Sequence, residues 1–207
     1  MSDPLQTTIA TYDQQAEFYV ARGRRDPKDE MARHFAQFSA LVSSGGLVFD
    51  VGCGPGRHSL ELLQRGYRTF SLDLSRGMLG QAQRAGVRNL ALADMRCLPI
   101  ASESADGLWV SASFLHVPRA DAPATLREFR RVLKAHGTML IVVKRGEGEA
   151  YRQNLGNMPR YFIFWREQEF DAMLRETGFD IAAAWTDSPD SSAMGADWWL
   201  TRFARKR

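Results

Sequence analysis

The feature that most constrains the fold is a glycine-rich turn within residues 48–62, VFDVGCGPGRHSLEL. An apolar run of strand length ends at Asp50 and Val51, glycines follow at positions 52, 54 and 56, and a helical pattern begins at once. Glycine adopts backbone conformations that other residues avoid, and it lets a ligand come close to the main chain. The stretch therefore predicts a strand-to-helix turn that binds a nucleotide-like ligand. A purely conformational need for glycine would give the same spacing.

The rest of the chain alternates apolar runs of strand length with stretches of helical period. This alternation is typical of a parallel sheet covered by helices on both faces. Strands are predicted at 47–51, 69–73, 90–93, 107–111, 139–143, 180–185 and 198–203. Helices are predicted at 57–65, 76–85, 122–135 and 167–176. The segment 144–154, KRGEGEAYRQN, leaves the fifth strand at the binding edge, where Glu147 and Glu149 are candidates to recognise a cationic acceptor; an exposed loop is the alternative interpretation.

Helical patterns also precede the first strand. They cover residues 3–19 and 28–42 and are interrupted at Gly23 and Pro27. Such a segment is too short for a domain, so we expect it to cap the carboxyl edge of the sheet, where open α/β sheets bind ligands. The 207 residues then form a single domain, with a helical cap at 1–45 and an α/β core at 46–207.

Charge and composition exclude several classes of protein. The net charge is +3, but the four cationic side chains within residues 202–207 account for it, and the remainder is close to neutral. A nucleic-acid binder usually carries a basic patch interleaved with aromatic residues, so no nucleic-acid partner is predicted. Two cysteines and four histidines without clustered spacing predict neither a metal site nor a disulfide framework.

Targeting signals are also missing from the sequence pattern. The first residues, MSDPLQTT, lack the basic, apolar and small-residue sequence of a leader, and no uncharged apolar run approaches ~20 residues. We therefore expect a cytoplasmic protein that does not cross a membrane.

Two acidic residues follow the second and third predicted strands. Asp73 stands 21 residues after Gly52, at the tip of the next strand, where a carboxylate accepts hydrogen bonds from both ribose hydroxyls. Asp94 and Met95 end the third strand and offer an acceptor for an exocyclic amine and a thioether for a ring face. Together these residues predict an adenosine ligand.

The spacing of the glycines narrows the ligand further. The turn has the pattern Gly-x-Gly-x-Gly, not the Gly-x-Gly-x-x-Gly of dinucleotide sites, and Asp50 precedes it. A carboxylate there repels a pyrophosphate but suits a ligand with ammonium and sulfonium charges. S-adenosylmethionine carries both charges.

With these residues in place, the chain resembles the class I S-adenosylmethionine-dependent methyltransferases over about residues 10–205. VFDVGCGPGRHSLEL resembles the first motif of that family and FSLDLS the second. ALADMRCLPIASESADGLWVSASFLHVPR resembles the third and fourth motifs, and LREFRRVLKAHGTMLIVVKRGEGE the helix and fifth strand. The resemblance implies a doubly wound, Rossmann-like α/β sheet of about seven strands, with the last strand antiparallel and a helical cap at the N-terminus.

The resemblance also implies which residues bind S-adenosylmethionine. Asp50, Gly52 and Gly54 would line the methionine end, and Asp73, followed by Leu74, would hold the ribose. The remaining implied contacts are Asp94 and Met95 beside the adenine and Ser111 at the end of the fourth strand.

Three further residues are candidates for the site. Tyr12 and Tyr19 are seven positions apart, which predicts one helical face over the cofactor, with hydroxyls that reach its carboxylate. Packing aromatics would show the same spacing. His116, in SFLHVPR, follows the fourth strand and is a candidate base for an oxygen, nitrogen or thiol acceptor. Alternatively, it closes the strand end through hydrogen bonds to the backbone.

These patterns favour methyl transfer to a small-molecule acceptor, because the core and cap leave no room for a domain that holds a macromolecular substrate. Two alternatives stay open at this point. One is an S-adenosylmethionine-binding protein without catalysis that acts through partners, and the other is a nicotinamide-dependent oxidoreductase, which Asp50 and the glycine spacing disfavour. The sequence predicts neither the acceptor atom nor the oligomeric state.

Overall fold

The computed structural model describes residues 3–22, 28–187 and 198–207, so the predicted interruption at Gly23 and Pro27 lies outside the described residues. The helices are α1 (Pro4–Gln14), α2 (Ala16–Arg22), α3 (Lys28–Leu41), α4 (Arg57–Gln64), α5 (Arg76–Arg84), α6 (Ala122–Val132) and α7 (Glu167–Glu176), with a 3-10 turn at Phe114–His116. The strands are β1 (Leu47–Val51), β2 (Arg68–Asp73), β3 (Leu90–Leu92), β4 (Ala105–Ser111), β5 (Leu133–Arg145), β6 (Glu149–Leu155), β7 (Met158–Trp165), β8 (Phe179–Asp187) and β9 (Trp199–Lys206).

The strands in the described part of the chain form one mixed sheet. Strands β3, β2, β1, β4 and β5 lie side by side in that order and run parallel. Strand β9 pairs antiparallel with β5 on one side and with β8 on the other. This arrangement confirms the predicted doubly wound sheet with an antiparallel last strand.

Helices cover both faces of the sheet because side chains alternate along its central strands. On β4, Leu108 and Val110 belong to the core that contains Phe129 of α6. Trp109, between them, points to the opposite face and stacks on Phe35 of α3 at 4.3 Å between ring centroids. Buried positions on consecutive residues therefore explain the continuous apolar run of β4 in the sequence.

The N-terminal helices divide between two places. Helices α1 and α2 lie against α5, and α1 also packs along β7. Helix α3 instead packs on the face of the sheet, where Phe35 and Phe38 contact Trp109. Helices α1 and α2 therefore have the predicted position over the carboxyl edge of the sheet. Helix α3 does not, because its apolar side chains pack on the face of the sheet.

A β-hairpin stands where the sequence predicted a loop. Strands β6 and β7 pair antiparallel, and β7 joins the main sheet through Lys144–Phe164 and Arg145–Trp165 at the end of β5. Helix α6 also ends earlier than predicted, at Val132, because β5 begins at Leu133 and includes His136 at a φ of 62°. The hairpin extends the carboxyl edge of the sheet on the side that faces α1.

Candidate active site

A cavity of about 420 Å³ lies at the carboxyl ends of β1, β2, β3 and β4, beneath α1 and α2. This is the edge at which open α/β sheets bind ligands. The cap helices contribute apolar side chains to its wall, among them Leu5, Ile9 and Val20. Ten of the predicted site residues line it: Tyr12, Tyr19, Gly52, Gly54, Asp73, Leu74, Asp94, Met95, Ser111 and His116.

The glycine turn connects β1 to α4 and requires glycine for two different reasons. All three glycines have positive φ angles, 74° at Gly52, 55° at Gly54 and 82° at Gly56. A Cβ at Gly52 would lie 2.2 Å from the Cβ of Ser113, so the end of β4 leaves no room for a side chain there. A Cβ at Gly54 would meet nothing within 4 Å, so the main chain at Gly54 borders open space in the cavity.

Asp73, at the end of β2, is fixed in place by two backbone groups. Its Oδ2 accepts from the N–H of Gly54 and its Oδ1 from the N–H of Ser75, both at 2.8 Å. Burial raises the pKa of Asp73 above its ordinary value, although these two hydrogen bonds and the backbone N–H of Leu74 act in the opposite direction. Each carboxylate oxygen has a second acceptor position, so the group suits two neighbouring hydroxyls.

Asp94 and Met95 follow β3 on the same wall of the cavity. Asp94 pairs with Arg96 at 2.8 Å, and Arg96 also reaches Asp121 at 2.9 Å. Burial by itself raises the pKa of Asp94, but the hydrogen bonds and charge of Arg96 outweigh it and hold the pKa below its ordinary value. Asp94 is therefore an ionised acceptor at neutral pH, with its orientation set by Arg96.

The end of β4 forms the floor of the cavity. Ser111, Ala112 and Ser113 all line it, and Ala112 has a φ of 54°. The hydroxyl of Ser113 donates to the main-chain oxygen of Val51 at 2.7 Å, which ties β4 to the start of the glycine turn. The sequence predicted Ser111 here and missed Ser113, whose only signal was its position two residues further along.

Asp50 departs from the expectation that it lines the site. Its side chain is 2% exposed, lies outside the described lining of the cavity and accepts from the hydroxyl of Ser59 at 2.6 Å. Burial raises the pKa of Asp50 to about 6, against the opposing influence of His58 and Ser59. The carboxyl group lies beneath the turn because alternate residues of β1 face opposite sides, and it anchors the first turn of α4.

Tyr12 and Tyr19 lie on two helices, since α1 ends at Gln14 and α2 begins at Ala16. Their rings nevertheless meet edge to face with centroids 5.9 Å apart, and both line the cavity. The hydroxyl of Tyr12 contacts Nε2 of His116 at 2.9 Å and accepts from Nη1 of Arg160 at 2.8 Å. The reach of the Tyr12 hydroxyl towards a cofactor carboxylate stays a prediction.

His116 ends the 3-10 turn after β4 and is 8% exposed. Its Nδ1 lies 2.6 Å from the main-chain oxygen of Tyr161 on β7, and its Nε2 faces Tyr12. The structure thus brings His116 to the cavity wall, as predicted, and gives it the backbone contact of the alternative interpretation. Its use as a base stays a prediction.

The two acidic residues predicted as contacts for a cationic ligand have other partners. Glu147 pairs with Arg166 at 2.7 Å, and Glu149 accepts a hydrogen bond from the hydroxyl of Tyr161. Neither residue belongs to the described lining of the cavity. Glu147 thus pairs at the surface with the residue after β7, and Glu149 links β6 to β7.

Helix α1 is fastened over the cavity by polar contacts that sequence reasoning did not find. Thr11 donates to the main-chain oxygen of Pro159 at 2.6 Å, and the N–H of Tyr161 donates to Thr8 at 2.9 Å. Asp13 accepts from the hydroxyl of Ser75 at the other end of the helix. The cap is therefore held by β7 on one side and by the turn after β2 on the other.

The part of the chain that the structure describes has neither a metal-binding cluster nor a helix that could cross a membrane. Across residues 3–22, 28–187 and 198–207, no three His, Cys, Asp or Glu side chains are grouped so that they would bind a metal ion. No helix within those ranges has both the length and the apolar character that a bilayer crossing requires.

The central part of the chain is similar in sequence to known methyltransferases. Residues 49–141 match the family described as a methyltransferase domain. The methyltransferase GfsG of Streptomyces halstedii is 35% identical over 116 residues, which cover 51% of this chain and 41% of that protein. Malonyl-[acyl-carrier protein] O-methyltransferase of Salmonella typhimurium is 36% identical over 93 residues, which cover 44% of this chain and 36% of that protein. The chain thus spans less than half the length of these relatives.

Comparison with solved structures agrees with the fold. The 1,6-didemethyltoxoflavin-N1-methyltransferase of Burkholderia thailandensis has a TM-score of 0.74 and 21% identity, and the match covers 100% of this chain and 91% of that one. That structure contains 1,6-didemethyltoxoflavin and S-adenosylhomocysteine. The architecture described above is therefore shared with that methyltransferase.

Proposed function

We propose that this chain, which carries a methyltransferase domain of class I architecture, binds S-adenosylmethionine and transfers its methyl group to a small-molecule acceptor. The observation that carries the proposal is the cavity, in which the open main chain at Gly54 and the carboxylate of Asp73 meet. The relatives named above are methyltransferases, which supports the same reaction.

The residues of the cavity fit the adenosine part of this cofactor. Asp73 has acceptor positions for the two ribose hydroxyls, and Leu74 follows it on the same wall. Asp94 offers an ionised acceptor to the exocyclic amine, and the thioether of Met95 suits a ring face. Gly52, Gly54 and Ser111 border the space that remains for the methionine part, and Tyr12 and Tyr19 cover it with their rings.

The mechanism that follows is catalysis by enclosure and placement. S-adenosylmethionine held by Asp73, Asp94 and the glycine turn would supply an electrophilic methyl carbon on a sulfonium. The apolar side chains of α1 and α2 exclude water from the space above the sheet, which strengthens the electrostatic contacts there. Ser113 and Asp73 hold the glycine turn rigid, so the chain presents a fixed surface to the reacting groups.

The acceptor side of the cavity lies between Tyr12 of the cap and His116. A site of this size, enclosed by two short helices, suits a small molecule better than a folded macromolecule. The absence of a nucleic-acid partner is part of the proposal and rests on the near-neutral body of the chain. A cytoplasmic location is part of the proposal as well. We propose that residues 1–207 form one domain. Residues 1–45 provide its helical cap and α3, which packs on the sheet.

Calorimetry with the two classes of cofactor tests the proposal. We expect S-adenosylhomocysteine to bind in the micromolar range and NAD to give no heat, because the turn has the wrong spacing for a pyrophosphate. Asp106→Asn is the control for a change at Asp73, since Asp106 also accepts from a backbone N–H but lies at the opposite edge of the sheet. Binding of NAD with no response to S-adenosylhomocysteine would overturn the proposal.

A further inference from the structure

Strand β3 lies at one end of the sheet, and within the described part of the chain two of its backbone positions are unpaired. The main chains of Asn89 and Ala93 form hydrogen bonds to β2 at 2.8 and 2.9 Å, so both residues face that strand. Since backbone groups alternate in direction along a strand, the N–H and C=O groups of Leu90 and Leu92 point away from the sheet. The edge can therefore accept another strand.

Two large apolar side chains are exposed beside this edge. Leu92 is 42% exposed, and Phe70 on the neighbouring strand β2 is 45% exposed. Residues 93–104, which are all described, form no helix that would cover β2 and β3 on the Phe70 side. Ala91 lies on that same side, because it pairs with Leu72, two positions after Phe70. The edge thus combines unpaired backbone groups with apolar surface, which is typical of a site of strand addition.

A second copy of β3 fits the edge in an antiparallel arrangement with the two-fold axis at Ala91. Leu90 then lies opposite the partner's Leu92, and their outward N–H and C=O groups exchange two hydrogen bonds. The symmetric pair of leucines exchanges two more. Ala91 faces the partner's Ala91 in a pair without hydrogen bonds, in which side chains come closest, and two methyl groups fit there. The outward backbone groups of Leu90 and Leu92 are all satisfied in this register.

The charges that flank the strand agree with the same register. Arg88 precedes β3 and Asp94 follows it, each three positions from Ala91, so Arg88 lies opposite the partner's Asp94. The symmetry repeats this pair at the other end of the interface. Asp94 is ionised beside Arg96, and Arg88 is exposed. Unlike charges therefore meet at both ends, and this self-complementarity favours a second copy over an unrelated strand as the occupant.

We propose that two copies of this chain form a two-fold dimer through β3. Their sheets join into one continuous sheet, and Phe70 of each copy packs beside the alanine pair on one side. Asp94 and Met95, which follow β3, belong to the cavity wall. The partner's Arg88 therefore lies at the rim of the cavity, next to the residues that we assign to adenine. Only this last assignment rests on the proposed function, and the dimer itself does not.

Sedimentation equilibrium of the full chain at rising concentration tests for the dimer. We expect the mass to rise from one chain to two, and Leu92→Asp to raise the dissociation constant at least tenfold, because it places a charge beside the paired backbone. Leu63→Asp is the matched control, since Leu63 is also an exposed leucine but lies on α4. Arg88→Glu should weaken the dimer as well, because position 88 then faces an acid with an acid. A single-chain mass at every concentration, or equal effects of Leu92→Asp and Leu63→Asp, would overturn the inference.

Cross-linking tests the register of the two strands. Ala91→Cys is made in a Cys97→Ser background, which removes the exposed native thiol, and the protein is oxidised mildly. We expect a disulfide-linked pair of chains, because facing residues without hydrogen bonds have Cα atoms about 4.5 Å apart, within the range of a disulfide. Asn89→Cys is the control, since position 89 lies on the same side but about 13 Å along the strand from its own counterpart. Equally fast linkage of both variants, or a dimer in which Ala91→Cys stays unlinked, would contradict the proposal.

Discussion

Asp13 on α1 accepts a hydrogen bond from the hydroxyl of Ser75 at 2.6 Å and another from the N–H of Gly77 at 2.9 Å. Ser75 and Gly77 follow Asp73, so this carboxylate fastens the cap to the turn that we assign to the ribose. Gly77 allows the close approach, since a Cβ there would lie 2.7 Å from the main-chain oxygen of Asp13. The cap and the turn assigned to the ribose therefore share this contact.

Loss of this contact should loosen the cap. We expect Asp13→Ala to weaken binding of S-adenosylhomocysteine by about 1 kcal/mol, the usual net value of such a hydrogen bond. Ser75→Ala should cost a similar amount, and the double variant should cost less than the sum, because both changes remove one contact. Calorimetry on the four proteins measures the coupling, and strictly additive losses would contradict it.

Asp73 should contribute most to the affinity for the cofactor. Asp73→Ala removes charge-assisted hydrogen bonds to the ribose, so we expect affinity to fall by about 1.5–3 kcal/mol. Asp106→Asn, at the far edge of the sheet, should leave the affinity as it is. An unchanged dissociation constant in Asp73→Ala would remove this residue from the ribose site.

Gly52 and Gly54 should respond differently to alanine. Gly52→Ala places a methyl group 2.2 Å from Ser113 at a φ of 74°, so the free energy of unfolding should fall by about 3 kcal/mol or more. Gly54→Ala meets no atom within 4 Å, so it should cost only the ~1–2 kcal/mol of its left-handed backbone but lose cofactor affinity. Denaturant unfolding and calorimetry, performed on both variants, separate the two roles.

The buried carboxyl of Asp50 should make stability depend on pH. Its pKa is raised from 3.8 to about 6 by burial, so between these values the folded state binds more protons than the unfolded state. Its contribution is present below about pH 4 and is lost as the pH rises through about 6, which amounts to about 3 kcal/mol by pH 7. Asp50→Asn should therefore gain stability relative to the unmodified protein between pH 4 and pH 7. Chemical unfolding at both pH values measures this, and a constant difference would contradict it.

Local sequence patterns predicted the central strands and helices well, but they did not predict the hairpin of β6 and β7. Strand β1 and helix α7 have the predicted bounds, since their apolar residues follow the period of the element. Strand β6 has a polar sequence, EAYRQNL, and is held by pairing with β7, so no local period indicated it. A strand of this kind depends on its neighbour more than on its own composition.

The same distinction applies to the site. Gly52, Gly54 and Asp73 lie at strand ends, and any parallel sheet brings those positions together. The contact of Tyr12 with Arg160 joins residues 148 positions apart, through a hairpin that the sequence did not predict. For Asp50 the motif gave the position in the chain but not the direction of the side chain. Its carboxyl group faces Ser59 of α4 and not the cavity, and this direction depends on how α4 packs.

Transfer of a labelled methyl group tests the central claim most directly. The purified protein is incubated with S-adenosylmethionine carrying a labelled methyl group and a panel of small oxygen, nitrogen and thiol acceptors, and both products are measured. We expect one equivalent of S-adenosylhomocysteine for each labelled product, with both reduced at least tenfold in Asp73→Ala at subsaturating cofactor. Binding of S-adenosylmethionine without formation of S-adenosylhomocysteine above the enzyme-free rate, across the whole panel, would contradict the proposed methyl transfer and favour a binding protein without catalysis.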